Sequence, residues 1–306
     1  MSAHNKEFQI IDRIFGYLKK GGFLHDVGDD ATVFDLGTVK AVVSVDSFVD
    51  GTHFNSLVPL DAVGFRSVAG AASDIVAMGV KPGYILVSLG LTGKVPEETA
   101  LGIYTGIKKA CKKWGLKVAG GDIVKSRRLF VSVCALGFGK KVIRRRGAKP
   151  GDIVFITGYP GLSSAGLKSL TAGKKGNELT RSFLYPQIHP EMAAGIASFA
   201  NSLIDSSDGL IASCRMIAAA SNAGINIESG KVPLKGSLLK FCRHRKTALK
   251  FALTGGEDYY LLGTASPAKF AKIKPKVFKI GSVTKGRGVF VDGDRAVFKE
   301  FRHFNK

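Results

Sequence analysis

The sequence predicts an α+β protein made of two mixed α/β domains. Three observations lead there. At 306 residues the chain exceeds the comfortable size of one simple core. Strand-like and helix-like runs mix in both halves without strict strand–helix–strand alternation. A Pro-Gly-Asp turn at 150–152, just ahead of a new apolar run, reads as a junction and divides the chain into 1–140 and 141–306. The signals GGD (120–122) and GGED (255–258), one per half, hint at a duplicated architecture.

Residues 7–19 place Phe8, Ile11, Ile14, Phe15 and Leu18 on one side, which predicts an amphipathic helix. TVKAVVSVDSF (38–48) predicts a buried strand running into an acidic loop. DAVGFRSVAGAASDIVAMG (61–79) predicts a helix whose small residues permit close packing. YILVSLGL (84–91) predicts a strand, and 97–114 a helix with Ile107, Ala110 and Trp114 inward and lysines on its solvated face. LKVAGGD (116–122) predicts a strand ending in a turn, and RLFVSVCALGFG (128–139) another strand. After the junction strand comes a predicted helix at 161–173, behind the glycine-rich turn GYPGLSSAG, and a polar loop, GKKGNELT (173–180). Residues 190–201 and 210–223 predict helices, and SLIDSSDGL (202–210) a strand entering an acidic turn. Residues 249–265 predict a glycine turn feeding a strand, and 276–293 a closing hairpin.

Hydrophobic residues at 45% and charged residues at 23% are those of an ordinary globular chain. Forty-five Lys and Arg against 24 Asp and Glu give a formal charge of +21. That excess suits anionic partners, and equally a basic, solubilising surface. The four cysteines form no CxxC pair, which argues against a zinc site or a disulfide framework; Cys134 and Cys214 sit in apolar runs and are expected in the core. The opening residues lack the apolar segment of a signal peptide, and no apolar run is long enough to span a membrane, so a cytoplasmic protein is expected.

The acids are the unusual feature. Asp29, Asp30, Asp46, Asp50, Asp74, Asp122, Asp205, Asp208, Glu257 and Asp258 lie in turns of one style, mostly at the end of an apolar strand beside Gly or Ser. One such acid is ordinarily a helix cap or turn residue. So many together read as carboxylates converging on hard cations, Mg²⁺ most naturally. No G-x-x-x-x-G-K-[ST] loop occurs, and GFGKKV (137–142) does not complete a G-x-G-x-x-G. A phosphate site here would be built from metal-bridging aspartates and glycine amides.

The motifs GDDA (28–31), VSVDSFVDGTHF (43–54), SDIVAMGVKP (73–82), GGD (120–122), GAKPGD (147–152), IDSSDGL (204–210) and GGEDY (255–259) stand in this order. The ordered set resembles the thiamine-monophosphate kinase family, of the aminoimidazole ribonucleotide synthetase superfamily, over nearly the whole chain. The resemblance implies ATP-dependent, Mg²⁺-assisted phosphorylation of thiamine monophosphate to thiamine diphosphate, two α+β domains, and a homodimer joined through the N-terminal sheets. It implies metal ligation by Asp30, Ser44, Val45, Asp46, Asp74, Asp122, Asp205 and Asp208. It further implies nucleotide contacts from Tyr104, Gly121, Asp122, Arg145 and Ser207, and substrate contacts from His53, Glu257 and Phe301. The family usually has Ser-Thr-Asp where this chain has Ser44-Val45-Asp46, so a middle hydroxyl contact is lost while a backbone carbonyl contact survives.

The implied acceptor is a phosphate monoester with a second pKa near ~6, largely a dianion near neutrality, so it needs no general base. That agrees with a sequence that has no obvious catalytic dyad. Two other readings stand beside this one. A sibling of the superfamily would act on another substrate with ATP. A basic nucleic-acid-binding protein would account for the charge and leave the acidic turns unexplained; no specific nucleic-acid or membrane partner is expected.

Overall fold

Alternating apolar residues build a first sheet in the N-terminal half of the computed structural model, which describes residues 6–22, 24–93, 96–274 and 276–297. The half comprises helix α1 (Lys6–Lys19), strands β1 (Thr32–Asp35) and β2 (Lys40–Val49), helix α2 (Leu60–Ala77), strand β3 (Pro82–Leu91), helix α3 (Pro96–Trp114), and strands β4 (Lys117–Lys125) and β5 (Phe130–Gly139). The sheet order is β1-β2-β5-β3-β4. All neighbours are antiparallel except β3 and β4, which run parallel.

The inner face of this sheet carries Val42, Phe48, Ile85, Val87, Val131 and Val133, all buried. It packs on α2, the most enclosed helix, with fifteen of its 18 residues buried. Small residues let α2 and α3 cross closely. A Cβ on Gly64 would lie 2.0 Å from the Ile103 carbonyl oxygen, and one on Gly106 1.7 Å from that of Asp61. As expected, Ile107, Ala110 and Trp114 face inward. The opposite face is bare. Val45 is 67% exposed and Phe138 48%, and all nine residues of β4 are exposed.

The second half contains β6 (Ile153–Ile156), α4 (Leu162–Thr171), α5 (Glu178–Leu184), α6 (Pro190–Ala197), β7 (Ser202–Asp205), α7 (Leu210–Ser221), β8 (Gly224–Ile227), α8 (Gly236–Cys242), α9 (Arg245–Thr254), β9 (Leu261–Ala265), α10 (Pro267–Phe270), β10 (Phe278–Thr284), β11 (Gly288–Val291) and β12 (Asp294–Arg295). Its strands form a seven-stranded sheet in the order β12-β11-β8-β10-β6-β9-β7. The Pro-Gly-Asp turn, with Gly151 at φ +91°, lies between the last strand of the first sheet and the first strand of the second. The largest buried cluster crosses that division. Ile75 and Val76 of α2 belong to the same core as Phe155, Phe183, Leu203 and Leu261. Among the described residues, no helix is long and apolar enough to cross a membrane.

Several expectations are corrected. The predicted closing hairpin is split: β10 pairs antiparallel and β11 parallel with β8, which lies between them. Thr284 and Gly288 both register with Gly224, so the three-residue link between them passes over the start of β8. The end of the predicted polar loop is the first turn of α5, where Asn177 accepts from the Thr180 amide at 2.9 Å and so caps the helix. The GGD glycines do not end a strand; β4 runs through them to Lys125. Helix α6 stops at Ala197, short of residue 201. Cys214 is buried, but Cys134 is only half-buried on the bare face of β5. The apolar side of α1 is only partly covered: Ile11, Phe15 and Leu18 are half-buried, Ile14 is 49% exposed, and the Phe8 side chain lies outside the described residues.

Replacing Gly106 by Ala should force α3 away from α2. We expect a loss of about 1–3 kcal/mol in unfolding free energy, read from urea denaturation. An unchanged midpoint would show that the crossing has slack.

Candidate active site

Three chain segments deliver one carboxylate each to a common point. Asp30 comes from the loop before β1, Asp74 from the last turn of α2, and Asp205 from the end of β7. One oxygen of each lies within 4.8 Å of the others. The α2 helix makes this possible, because it packs on β2 on one side and on β7 on the other.

The neighbours of these acids hold their geometry. Ser44 Oγ, on the inner face of β2, donates to Asp74 Oδ2 at 2.5 Å. Ser73 Oγ donates to Asp205 Oδ2 at 2.6 Å. Arg145 Nη2 donates to Asp30 Oδ1 at 2.8 Å, and its backbone amide to Asp29 Oδ1 at 2.8 Å. Arg144 pairs with Asp26 and Asp29. Asp30 Oδ2 is buried with no hydrogen-bond partner.

The electrostatics follow from this crowding. Burial, joined by the charges of Asp205 and Asp30, holds Asp74 well above the usual carboxylate range. Burial, joined by Asp30, pushes Asp205 up to about 7. Burial raises Asp30 too, against the opposing pull of Arg145. Buried carboxylates that disfavour their own charge, one with an orphan acceptor oxygen, fit a hard divalent cation that binds through oxygen.

The cluster borders a cleft of about 610 Å³ between the two sheets. Asp46 enters it beside α2 at Gly70, where a Cβ would lie 2.5 Å from Asp46 Oδ2. A side chain there would displace the Asp46 carboxylate from this position. Phe48, Phe54, Phe183 and Tyr259 supply aromatic wall. His53 Nδ1 accepts from the Val49 amide at 3.1 Å, so the neutral ring carries its proton on Nε2. Glu257 sits at φ +62° and Tyr259 at φ +53°, both rare for side-chain-bearing residues. The loop is tied down by the Glu257 amide to the Ser207 carbonyl at 2.7 Å and the Tyr259 amide to that of Ser206 at 3.1 Å. Asp258 turns away and accepts from the Gly161 and Ser163 amides at the start of α4. Its burial raises it to about 7.

Of the residues expected at a site, the cleft gathers His53, Asp46, Asp74, Asp205, Ser207, Asp208 and Glu257, with Asp30 and Ser44 joined to them through Asp74. Val45 points its side chain to the bare face of the sheet, so only its backbone could serve the site. Arg145 is engaged with Asp30. Within one chain, Asp122 is not brought to the cluster. It lies on exposed β4, opposite Ser88, three strands from β2 and so ~14 Å across the sheet. Gly121 shares that strand, and Tyr104 is half-buried on α3; neither lines the cleft. Phe301 lies outside the described residues. Sequence reasoning missed Arg66, Gly70 and Phe183. The one available signal was a single arginine in the otherwise small and apolar run of α2.

A two-sheet chain with a carboxylate cluster between its sheets defines a class, and comparison with known proteins agrees. Residues 28–138 match the family described as AIR synthase related protein, N-terminal domain. The chain is 34% identical to the thiamine-monophosphate kinase of Aquifex aeolicus (strain VF5) over 305 residues, covering 97% of this chain and 98% of that one. It is 32% identical to that of Pyrococcus abyssi over 298 residues, covering 97% and 94%. The solved structure described as AaThiL complexed with AMPPCP and TMP superposes with a TM-score of 0.91 at 33% identity, covering 99% of this chain and all of that one. The chain belongs to the thiamine-monophosphate kinase family.

The raised carboxyls carry a consequence for stability. Burial and the neighbouring Asp30 charge push the Asp205 carboxyl up to about 7 in the folded chain, against 3.8 for a free aspartate. Between those values the folded state holds a proton that the unfolded state has released, so its stabilising share is complete at low pH and is lost as pH rises through the window. Asp205→Asn keeps the acceptor for Ser73 and removes the charge. In EDTA at pH 8 it should unfold at higher urea than wild type, by on the order of 3 kcal/mol, with the gap closing near pH 4. A gap that does not change with pH would refute the assignment.

Proposed function

We propose that this chain transfers the γ-phosphoryl group of ATP to thiamine monophosphate, releasing thiamine diphosphate and ADP. The observation that carries the reading is the buried trio Asp30, Asp74 and Asp205 at the edge of a partly aromatic cleft. Two polyanions must meet in this reaction, and their mutual repulsion is the main obstacle. Asp30, Asp74 and Asp205 would hold magnesium, with Asp46, Asp208, Ser44 and the Val45 carbonyl as further oxygen donors. Magnesium, when bound there, neutralises phosphate charge between donor and acceptor.

The chain's own groups do the rest. Ser44 and Ser73 fix the carboxylate oxygens that face the phosphates. The acceptor phosphate is its own nucleophile and needs no general base. The Nε2–H of His53 is a donor of the type that suits a phosphate oxygen. Phe48, Phe183 and Tyr259 offer flat apolar surface that suits the two heteroaromatic rings of thiamine. Glu257 supplies a carboxylate suited to the positive charge of the thiazolium ring, and Phe301 a further contact. Arg145 and Ser207 serve the triphosphate.

Tyr104, Gly121 and Asp122 belong to the nucleotide side only if a second copy takes part. The bare face and exposed β4 of the first sheet suit a homodimer in which Asp122 of one copy serves the other's site. In the same reading residues 1–140 form the ATP, metal and dimer domain, residues 141–306 complete the site, and the enzyme works in the cytoplasm.

Purified protein with ATP, Mg²⁺ and thiamine monophosphate should give thiamine diphosphate and ADP in equal amounts, and nothing with EDTA or with free thiamine as acceptor. ATP binding without that product would point to a sibling substrate, and salt-sensitive polynucleotide binding alone to the nucleic-acid reading. A mixing test addresses the shared site. Asp30→Asn and Asp122→Asn should each be at least ~100-fold slower, and an equimolar remixed dimer should recover about a quarter of wild-type activity, since half the dimers then hold one intact site. No recovery would place Asp122 outside a shared site.

A further inference from the structure

Helix α2 carries one cation in its buried length, Arg66, and that side chain has no exposure to water at all. A buried guanidinium must be compensated where it sits. Four residues do so, and they come from separate parts of the chain. Nη1 donates to the His53 carbonyl oxygen at 3.1 Å, in the turn after β2. Nη2 donates to Glu257 Oε1 at 2.5 Å, in the loop before β9. The Phe183 ring of α5 lies 4.1 Å from the guanidinium carbon and the Phe48 ring of β2 5.3 Å from it. All four residues line the cleft, and Arg66 does not.

Stability alone is a poor reason for this arrangement. Arg66 Nε is buried without an acceptor. Buried ion pairs are commonly no more stabilising than apolar side chains that fill the same space. What the guanidinium provides is geometry: a planar fork with two fixed donor directions and two faces for aromatic rings. It holds Glu257 at φ +62°, a backbone state that persists only where the surroundings enforce it. Asp74, Asp205 and Asp30 accept from Ser44, Ser73 and Arg145 in turn.

We infer that Arg66 is a positioning residue for the acceptor end of the cleft: it sets the Glu257 carboxylate, the His53 turn and the Phe48 and Phe183 walls in one arrangement, and so governs recognition of the acceptor without touching it. The inference rests on the kinase reading above. It separates the cleft into an acceptor end organised by a buried arginine and a phosphate end organised by serines and Arg145.

Steady-state kinetics with each substrate varied in turn test this on wild type, Arg66→Met, Arg66→Lys, Glu257→Gln and the Arg66→Met/Glu257→Gln double variant. Arg66→Met should raise KM for thiamine monophosphate at least about tenfold while KM for ATP stays within about twofold. Arg66→Lys should recover part of that loss, because an ammonium keeps the charge and gives up the fork. The double variant should be no worse than the poorer single one, since both remove the same contact. Equal rises in both KM values, additive effects, or an unchanged KM for thiamine monophosphate would overturn the inference. If Arg66→Met does not fold, Arg66→Lys combined with Glu257→Gln supplies the same cycle. A wild-type chain that makes no thiamine diphosphate overturns the kinase reading and this inference together. An active wild type whose Arg66 variants keep the wild-type KM for thiamine monophosphate overturns this inference alone.

Discussion

Repulsion among three crowded, largely buried carboxylates is the constraint that organises this molecule. Asp30, Asp74 and Asp205 present oxygens within 4.8 Å of one another, and burial makes each disfavour its own charge. A fold optimised for stability alone would keep them apart. Here the backbone brings them together from a loop, a helix and a strand, and then supports them. Ser44 and Ser73 each give one carboxylate a fixed donor, and Arg145 gives Asp30 a counter-charge. Such an arrangement trades stability for a preorganised site, with the unmet Oδ2 of Asp30 as the clearest trace of that trade.

Helix α2 makes the trade possible. It lies between the two sheets, contributes to a core shared by both, and carries Asp74, Ser73, Arg66 and Gly70 along its length. Each has a different job that depends on the same close packing. Gly70 leaves room for Asp46, and the glycines of the α2–α3 crossing bring backbone against backbone. The two ends of the cleft are therefore built on one rigid rod, which is how positions fixed to fractions of an ångström are best held.

The site was more legible in the sequence than the fold that carries it. Clustered acids beside Gly and Ser are conspicuous in so basic a chain, and Asp30, Asp74 and Asp205 do converge. Long periodic elements such as α2, α3 and β3 also stood where their patterns placed them. What stayed hidden was pairing at a distance. Nothing local in 276–293 reveals that β8, more than fifty residues earlier in sequence, inserts between its two strands. The cap at Asn177 was readable as a helix start, but the short α5 lacks the length from which a period can be recognised. Asp122 was legible as an acid beside glycines, while its distance from the other acids depends on which strand is the sheet edge. Arg66 takes its meaning from His53, Glu257, Phe48 and Phe183, and their meeting is a tertiary fact.

The strand order of the second sheet bears on how the molecule is made. The first sheet has all its strands once residue 139 has been synthesised. The second does not work that way: β6 must wait for β9 and β10, β7 for β9, and β8 for β10 and β11. None of these pairs can close before the segment beginning at Leu261 leaves the ribosome. For much of its synthesis, then, the chain holds a formed N-terminal sheet with α2 still lacking its packing against β7, α5 and α6, and with strands β6, β7 and β8 unpaired. Asp30 and Asp74 meet Asp205 only when β9 arrives to hold β7 in place, so the carboxylate cluster is completed late in the making of the chain.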